Sequence, residues 1–128
     1  MTITPYLYYE DAGAALSWLA KAFGFKRFGP QMKGPDGKVM HAGMQLGDAE
    51  IMLGAPGPKY RNPHHLGQTT QSLYVMVDDA DKHYARARKT AGGKVLQEPA
   101  DTDYGHRRYR IEDPEGHEWC FAHELKGK

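Results

Sequence analysis

Moving the chain along itself by 68 residues brings Tyr6 onto Tyr74, Asp11-Ala12 onto Asp79-Ala80, Gly24 onto Gly92, Lys26 onto Lys94, Gly37 onto Gly105 and Glu50 onto Glu118. The match runs ungapped over about fifty positions, which marks a duplicated supersecondary unit. Whatever one copy folds into, the other must fold into as well. The chain has 128 residues, the size of one domain able to bury a core. We therefore expect a single domain over 1–128, with module one at about 1–54, a linker at about 55–70 and module two at about 71–125.

The grammar of the copies repeats more strongly than the letters. Asp11 and Asp79 stand where an N-cap belongs, each ahead of an apolar-periodic segment. Ala12, Leu16, Leu19 and Phe23 form one helical face; Ala80, Tyr84, Ala87 and Ala91 occupy the same offsets in the second copy. Gly24 and Gly92-Gly93 are expected to end the two helices. Extended segments precede them, 3–9 and 72–77, rich in Tyr, Val and Leu. A strand near 25–32 or 94–98 follows each helix, then two more: 39–46 turning at Gly47-Asp48 into 50–53, and 107–111 turning at Asp113-Pro114-Glu115-Gly116 into 118–122. Residues 55–70 hold Pro56, Gly57, Pro58 and Pro63 and read as the linker. The fold class is α+β: two tandem β-α-β-β-β modules whose sheets curl into a partly open mixed barrel with a central cavity.

Strand parity sorts the side chains. Leu7, Tyr9, Ile51, Leu53, Leu73, Val75, Val77, Trp119 and Phe121 form a nearly all-apolar set that should lie under the helices. The alternate set is Thr4, Tyr6, Tyr8, Met52, Gly54, Ser72, Tyr74, Met76, Cys120 and Ala122. Aromatic rings with hydroxyls, soft sulfur and small residues are the composition of a ligand cavity.

Charge and cysteine content exclude several classes. The formal net charge is +1, so no broad electrostatic footprint for nucleic acid or membrane is present. Arg107, Arg108 and Arg110, with the Lys and Arg of 82–89, read as a solvated face. One cysteine, Cys120, permits no internal disulfide and fits a reducing cytoplasm, where we expect the protein. No stretch has the length of an apolar membrane span, and no nucleophile elbow, Walker loop, H-E-x-x-H or C-x-x-C occurs.

Three segments together resemble the vicinal oxygen chelate superfamily, the glyoxalase, bleomycin-resistance and extradiol-dioxygenase group. They are Asp113-Pro114-Glu115-Gly116-His117-Glu118-Trp119, the Tyr8-Tyr9-Glu10-Asp11 start with Trp18 and Phe23-Gly24-Phe25, and Tyr104-Gly105-His106-Arg107-Arg108-Tyr109. The resemblance covers nearly the whole chain. It implies paired β-α-β-β-β modules and a homodimer, sometimes module-swapped, whose second chain completes the cavity.

The resemblance also implies where metal-dependent members hold their ion: one position on the first and one on the last strand of each module. These fall here on Thr4, Met52, Ser72 and Cys120. None is His, Glu or Asp, and two hydroxyls, a thioether and a lone thiol do not make a divalent-metal site. We therefore expect no metal and no cofactor. The expected function is metal-free binding of an aromatic or planar compound, of the bleomycin-resistance type. Its binding residues would be Tyr6, Tyr8, Met52, Ser72, Tyr74, Met76, Tyr104, Arg107 and Cys120, with Arg107 or Arg110 meeting an anionic group. The alternative is a glyoxalase-like lyase or isomerase, using divalent metal or acid–base work by Glu50, Glu118, His41 or Tyr104.

Overall fold

A computed structural model describes residues 1–126; the last two residues of the expected domain span lie outside the described residues. The first unit runs β1 (Tyr6–Tyr8), α1 (Ala12–Phe23), β2 (Lys26–Arg27), β3 (Met32–Lys33), β4 (Val39–Leu46) and β5 (Ala49–Gly54). A short helix α2 (Pro63–Leu66) interrupts the connection. The second unit runs β6 (Ser72–Met76), α3 (Ala80–Arg88), β7 (Lys94–Asp101), β8 (His106–Glu112) and β9 (Glu118–Glu124). The first sheet has the order β1-β5-β4-β2, with β3 also on β4; the second has the order β6-β9-β8-β7. β1 lies parallel to β5 and β6 parallel to β9, the same topology twice.

Both caps form as expected. Asp11 accepts from the Ala14 N–H and Asp79 from the Lys82 N–H. Gly24 ends α1 at φ 84°, a left-handed position that glycine takes at little cost. α3 ends earlier than expected, at Arg88, so Ala91 is not on its face. Tertiary structure explains the early stop. The Ala91 carbonyl accepts the Trp18 indole N–H at 2.7 Å, and a Cβ on Gly93 would stand 2.7 Å from the Trp18 ring. The glycine pair is the seat of a tryptophan from the first unit rather than a helix stop.

The extended segment 3–9 pairs only over 6–8. Pro5 lends its carbonyl to the Met52 N–H but has no N–H to continue the ladder. The segment 25–32 splits into two short strands around Gly29-Pro30 for the same reason. β7 runs longer than expected and tolerates Pro99 because it is an edge strand with two register shifts.

The 68-residue shift holds for β1/β6 and β5/β9, but β4 and β8 superpose at 67. Met52 faces Gly43, whereas Cys120 faces Arg110. The second unit's last turn is one residue longer, which absorbs the offset. The repeat is thus not ungapped through its third quarter.

Parity is realised on the helix side. Leu7, Tyr9, Ile51, Leu53, Trp119 and Phe121 are buried, with Leu73, Val75 and Val77 packed partly buried beside them. α1 and α3 touch each other on this side, and one core serves both sheets. Phe23 is its keystone: its ring lies 5.2 Å from Trp119 and 4.6 Å from Phe121, centroid to centroid. The opposite faces stay open, as two curled sheets without a closed barrel. Tyr6, Tyr8, Tyr74 and Met76 point outward there, so the cavity expected between the sheets is not closed by this chain alone.

Candidate functional site

The open faces carry a related arrangement in each unit. Tyr6 lies opposite Met52 and Tyr74 opposite Cys120. The Tyr6 hydroxyl shares a 2.7 Å hydrogen bond with His41 Nδ1, and the Tyr74 hydroxyl shares one of 2.7 Å with His106 Nδ1. Tyr104 adds its hydroxyl 3.1 Å from that of Tyr74. Burial and the neighbouring Tyr104 push the Tyr74 hydroxyl up, so it stays protonated at neutral pH. Gly54 makes room for this geometry, because a Cβ there would stand 2.6 Å from the Tyr6 ring.

Two clefts flank these faces. One of about 360 Å³ runs along β1 beside the connection and is lined by Tyr6, Tyr8, Tyr60, Arg61, Leu66 and His117, among others. The other, about 620 Å³, runs along β6 and includes Ile3, Phe25, Glu50, Leu73, Tyr74 and Met76.

Of the sequence-expected site residues, Tyr6, Tyr8, Met52, Ser72, Tyr74, Met76, Tyr104 and Cys120 gather on the open faces. Cys120 is nearly inaccessible, at 2% exposure. Its thiol is pushed up by burial, against the pull of Arg108, so it is neither a ready nucleophile nor a ready thiolate ligand.

Arg107 is a correction. It shares the face of Tyr109 and Ile111, opposite His123 on β9, and points to the helix side. There it pairs with Asp81 of α3 and Asp101 of β7, both at 3.0 Å. Two large apolar residues of β8 must enter the core, and the alternating pleat carries Arg107 with them. Arg108 and Arg110 take the open face instead.

His41 and His106 were missed as a pair. The signal lay in the alternation of buried Ala42 and Met44 with His41 and Gly43. Glu50 and Glu118 share the open face with Met52 and Cys120, each two residues along its strand. Glu118 is held by Arg110, whose Nε donates to it at 2.9 Å.

The connection is tied in by polar contacts that composition did not reveal. Asn62 is buried; its amide side chain donates to Glu115 and its backbone N–H to Glu10. Glu115 also accepts the backbone N–H groups of Glu10 and Asp11 at the start of α1. Asp113, in the same turn, is buried and accepts the Tyr9 hydroxyl at 2.6 Å and the Trp119 indole N–H at 3.1 Å. The acidic-Pro-acidic-Gly turn is therefore the joint of the two units, apart from the open faces.

This arrangement is matched among known proteins. Residues 2–121 fit the family model described as Glyoxalase/Bleomycin resistance protein/Dioxygenase superfamily. An "Uncharacterized protein" of Mycobacterium tuberculosis strain H37Rv, Rv0887c, is 31% identical over 129 residues, covering 97% of this chain and 75% of that protein. The crystal structure of TioX from Micromonospora sp. ML1 is similar at 31% identity and TM-score 0.76, covering 98% of this chain and 99% of that one. A glyoxalase/bleomycin resistance protein/dioxygenase family enzyme from Burkholderia phytofirmans PsJN shares the fold at TM-score 0.70 and 18% identity, covering 94% of this chain and 95% of that one. The chain belongs to the glyoxalase/bleomycin-resistance/dioxygenase superfamily.

Members of this superfamily often bind a divalent metal, and the residues present do not fit one. The four corresponding positions offer Thr4 and Ser72 hydroxyls, the Met52 thioether and a buried Cys120 thiol with the Arg108 guanidinium 3.9 Å away. A fixed cation beside a protonated thiol repels a second cation. Among the described residues no group of three or more His, Cys, Asp or Glu side chains could hold an ion.

Proposed function

We propose that the chain is a metal-free small-molecule-binding protein of the bleomycin-resistance type, sequestering an aromatic or planar compound against its open sheet faces as antibiotic-resistance members do. One observation carries the reading. Tyr6, Tyr8 and Tyr74 stand 47, 51 and 44% exposed on the faces opposite the helices, with Tyr6 and Tyr74 at equivalent positions of the duplication. Tyrosine faces hold flat ligands by stacking, their hydroxyls orient polar groups, and Met52 and Met76 adapt to shape. Each curled face is a half-shell, so a second copy of the chain supplies the opposite half in a homodimer. The partners we propose are a small molecule and that second copy, in the cytoplasm, with neither nucleic acid nor membrane. The net charge of +1 supports this, and among the described residues no helix is long and apolar enough to cross a membrane.

Elemental analysis of the purified protein is expected to find no stoichiometric metal. EDTA, or added Zn²⁺, Ni²⁺ or Mn²⁺, should move Tm by less than about 1 °C, since a bound ion would stabilise by mass action. Stoichiometric metal or a large loss on chelation sinks the reading. Ligand-observed screening of a metabolite and antibiotic library supplies the compounds for the second test. The double variant Tyr6→Ala/Tyr74→Ala should weaken the best of them about tenfold, from roughly 0.5–1.5 kcal/mol of stacking per ring. Unchanged affinity removes these faces from the site.

A second reading rests on the Tyr6–His41 and Tyr74–His106 pairs, each at 2.7 Å. Such pairs can move a proton, as a lyase or isomerase requires. Recovery of a screened compound in chemically altered form, read by mass spectrometry, would move the assignment to that class.

A further inference from the structure

The second unit's open face holds a guanidinium that no carboxylate among the described residues neutralises. Along β8 the side chains alternate: Tyr109 and Ile111 enter the core, while His106, Arg108, Arg110 and Glu112 face outward. Arg110 is paired with Glu118, and Arg107, on the other face, with Asp81 and Asp101. Arg108 has no ion-pair partner among the described residues. Its one side-chain hydrogen bond is a long one from Nη1 to Cys120 Sγ, a weak acceptor.

The Arg108 Nε–H is buried and has no hydrogen-bond partner. Gln97 Oε1, on the adjoining strand, is the other such atom among the described residues. Gln97 lies opposite Arg110 and therefore on the same face. The cross-strand neighbours of Arg108 are alanines on both sides, Ala100 and Ala122, neither of which can pair with the guanidinium. Across the face stand the Tyr74 and Tyr104 hydroxyls. An orphaned buried donor on a fixed cation is costly unless something meets it. The planar fork of arginine matches a carboxylate with two parallel hydrogen bonds.

We infer that Arg108 receives the carboxylate of a planar aromatic acid lying on this face, with Tyr74 and Tyr104 as neighbouring hydroxyl donors. The inference rests on the small-molecule reading above and narrows it to an anionic ligand class. Charge complementarity selects the acid, and the tyrosine rings carry its flat body.

The test uses matched probes: benzoate with benzamide, 2-naphthoate with 2-naphthamide, and indole-3-carboxylate with its carboxamide. Each acid should bind about tenfold or more tightly than its isosteric amide, as charge-assisted bidentate hydrogen bonds require. The arginine Nε–H crosspeak that disappears in Arg108→Lys should shift downfield with acid and stay still with amide. Arg108→Gln should bring each acid down to the affinity of its amide, and Arg108→Lys should keep part of the preference. Arg88→Gln, on the far side of the molecule, should bind as wild type. Equal binding of acids and amides, or an acid preference surviving in Arg108→Gln, overturns the Arg108 assignment and leaves the cavity reading standing. Failure of every probe, acid and amide alike, overturns both. The wild-type acid-to-amide ratio and crosspeak decide the question even where Arg108→Gln fails to fold.

Discussion

Replacing Asp113 by alanine is expected to destabilise the fold by about 4 kcal/mol, the scale of breaking a buried polar network. The carboxyl is 1% exposed. It accepts the Tyr9 hydroxyl, the Trp119 indole N–H and the backbone N–H groups of Glu115 and His117. Burial pushes the Asp113 carboxyl up, while these donors pull against the rise. Tyr9, pushed well up by burial and then by Asp113, keeps its proton and donates it. Truncation strands four donors inside the joint between the units, each costing about 1–3 kcal/mol and not additively. Asp113→Asn keeps an acceptor oxygen but turns an NH₂ toward donors, so about half the loss should remain. Urea unfolding followed by circular dichroism reads both variants; a loss below about 1 kcal/mol for the alanine variant would contradict the role given to the joint.

Acidification should remove about 3 kcal/mol through one histidine. His83 of α3 packs against Phe23 and Phe121, donates from Nε2 to the Phe23 carbonyl at 2.9 Å, and accepts the Tyr109 hydroxyl at Nδ1. Both ring nitrogens are thus satisfied in the neutral form. Burial, with the charge of Arg86, pushes the imidazole down to about 4. The unfolded chain titrates near the ordinary value of about 6.5. Between those values the unfolded state binds the extra proton, so stability is full above about pH 6.5 and drains away as pH falls toward 4. Asp113 contributes in the opposite sense at the acid end, because its carboxyl is pushed up. The comparison is therefore with His83→Gln, in which Asp113 is unchanged. The stability gap between wild type and variant should narrow by about 3 kcal/mol between pH 7 and pH 4, measured by urea unfolding at intermediate steps. A gap that does not move with pH would show that His83 titrates alike in the folded and unfolded chain and would overturn its neutral burial.

The sorting of side chains between the two sheet faces was legible in the sequence. Alternation along β1, β5, β6 and β9 separated Leu7, Ile51, Val75 and Trp119 from Tyr6, Met52, Tyr74 and Cys120, and each set lies on one face. The same alternation along β8 would have put Arg108, not Arg107, among the ligand candidates, because Tyr109 and Ile111 are the residues of that strand that belong in a core. The parity sorting was applied to β1, β5, β6 and β9 and not to β8. Asn62, Glu115 and Asp113 were harder. Their partners lie about 50–105 residues away along the chain, and no local pattern encodes a contact of that kind.

By itself, the sequence determined the elements and their faces: a period of two in the strands, a helical stripe behind each aspartate cap, and a duplication that makes one unit predict the other. These are properties of neighbours along the chain, where sterics and hydrogen bonding act over a few residues. Tertiary structure alone decided how the two units share a core. Phe23 packs its ring, tilted, against strand aromatics of the other unit, Trp18 takes the glycine pair that would have stopped α3, and Asp113 gathers donors from both units. It also decided that the tyrosine faces stay open within one chain and that Arg108 stands there with no ion-pair partner among the described residues. Those outcomes depend on where two packed sheets leave space and charge, which is set by contacts between residues far apart in sequence.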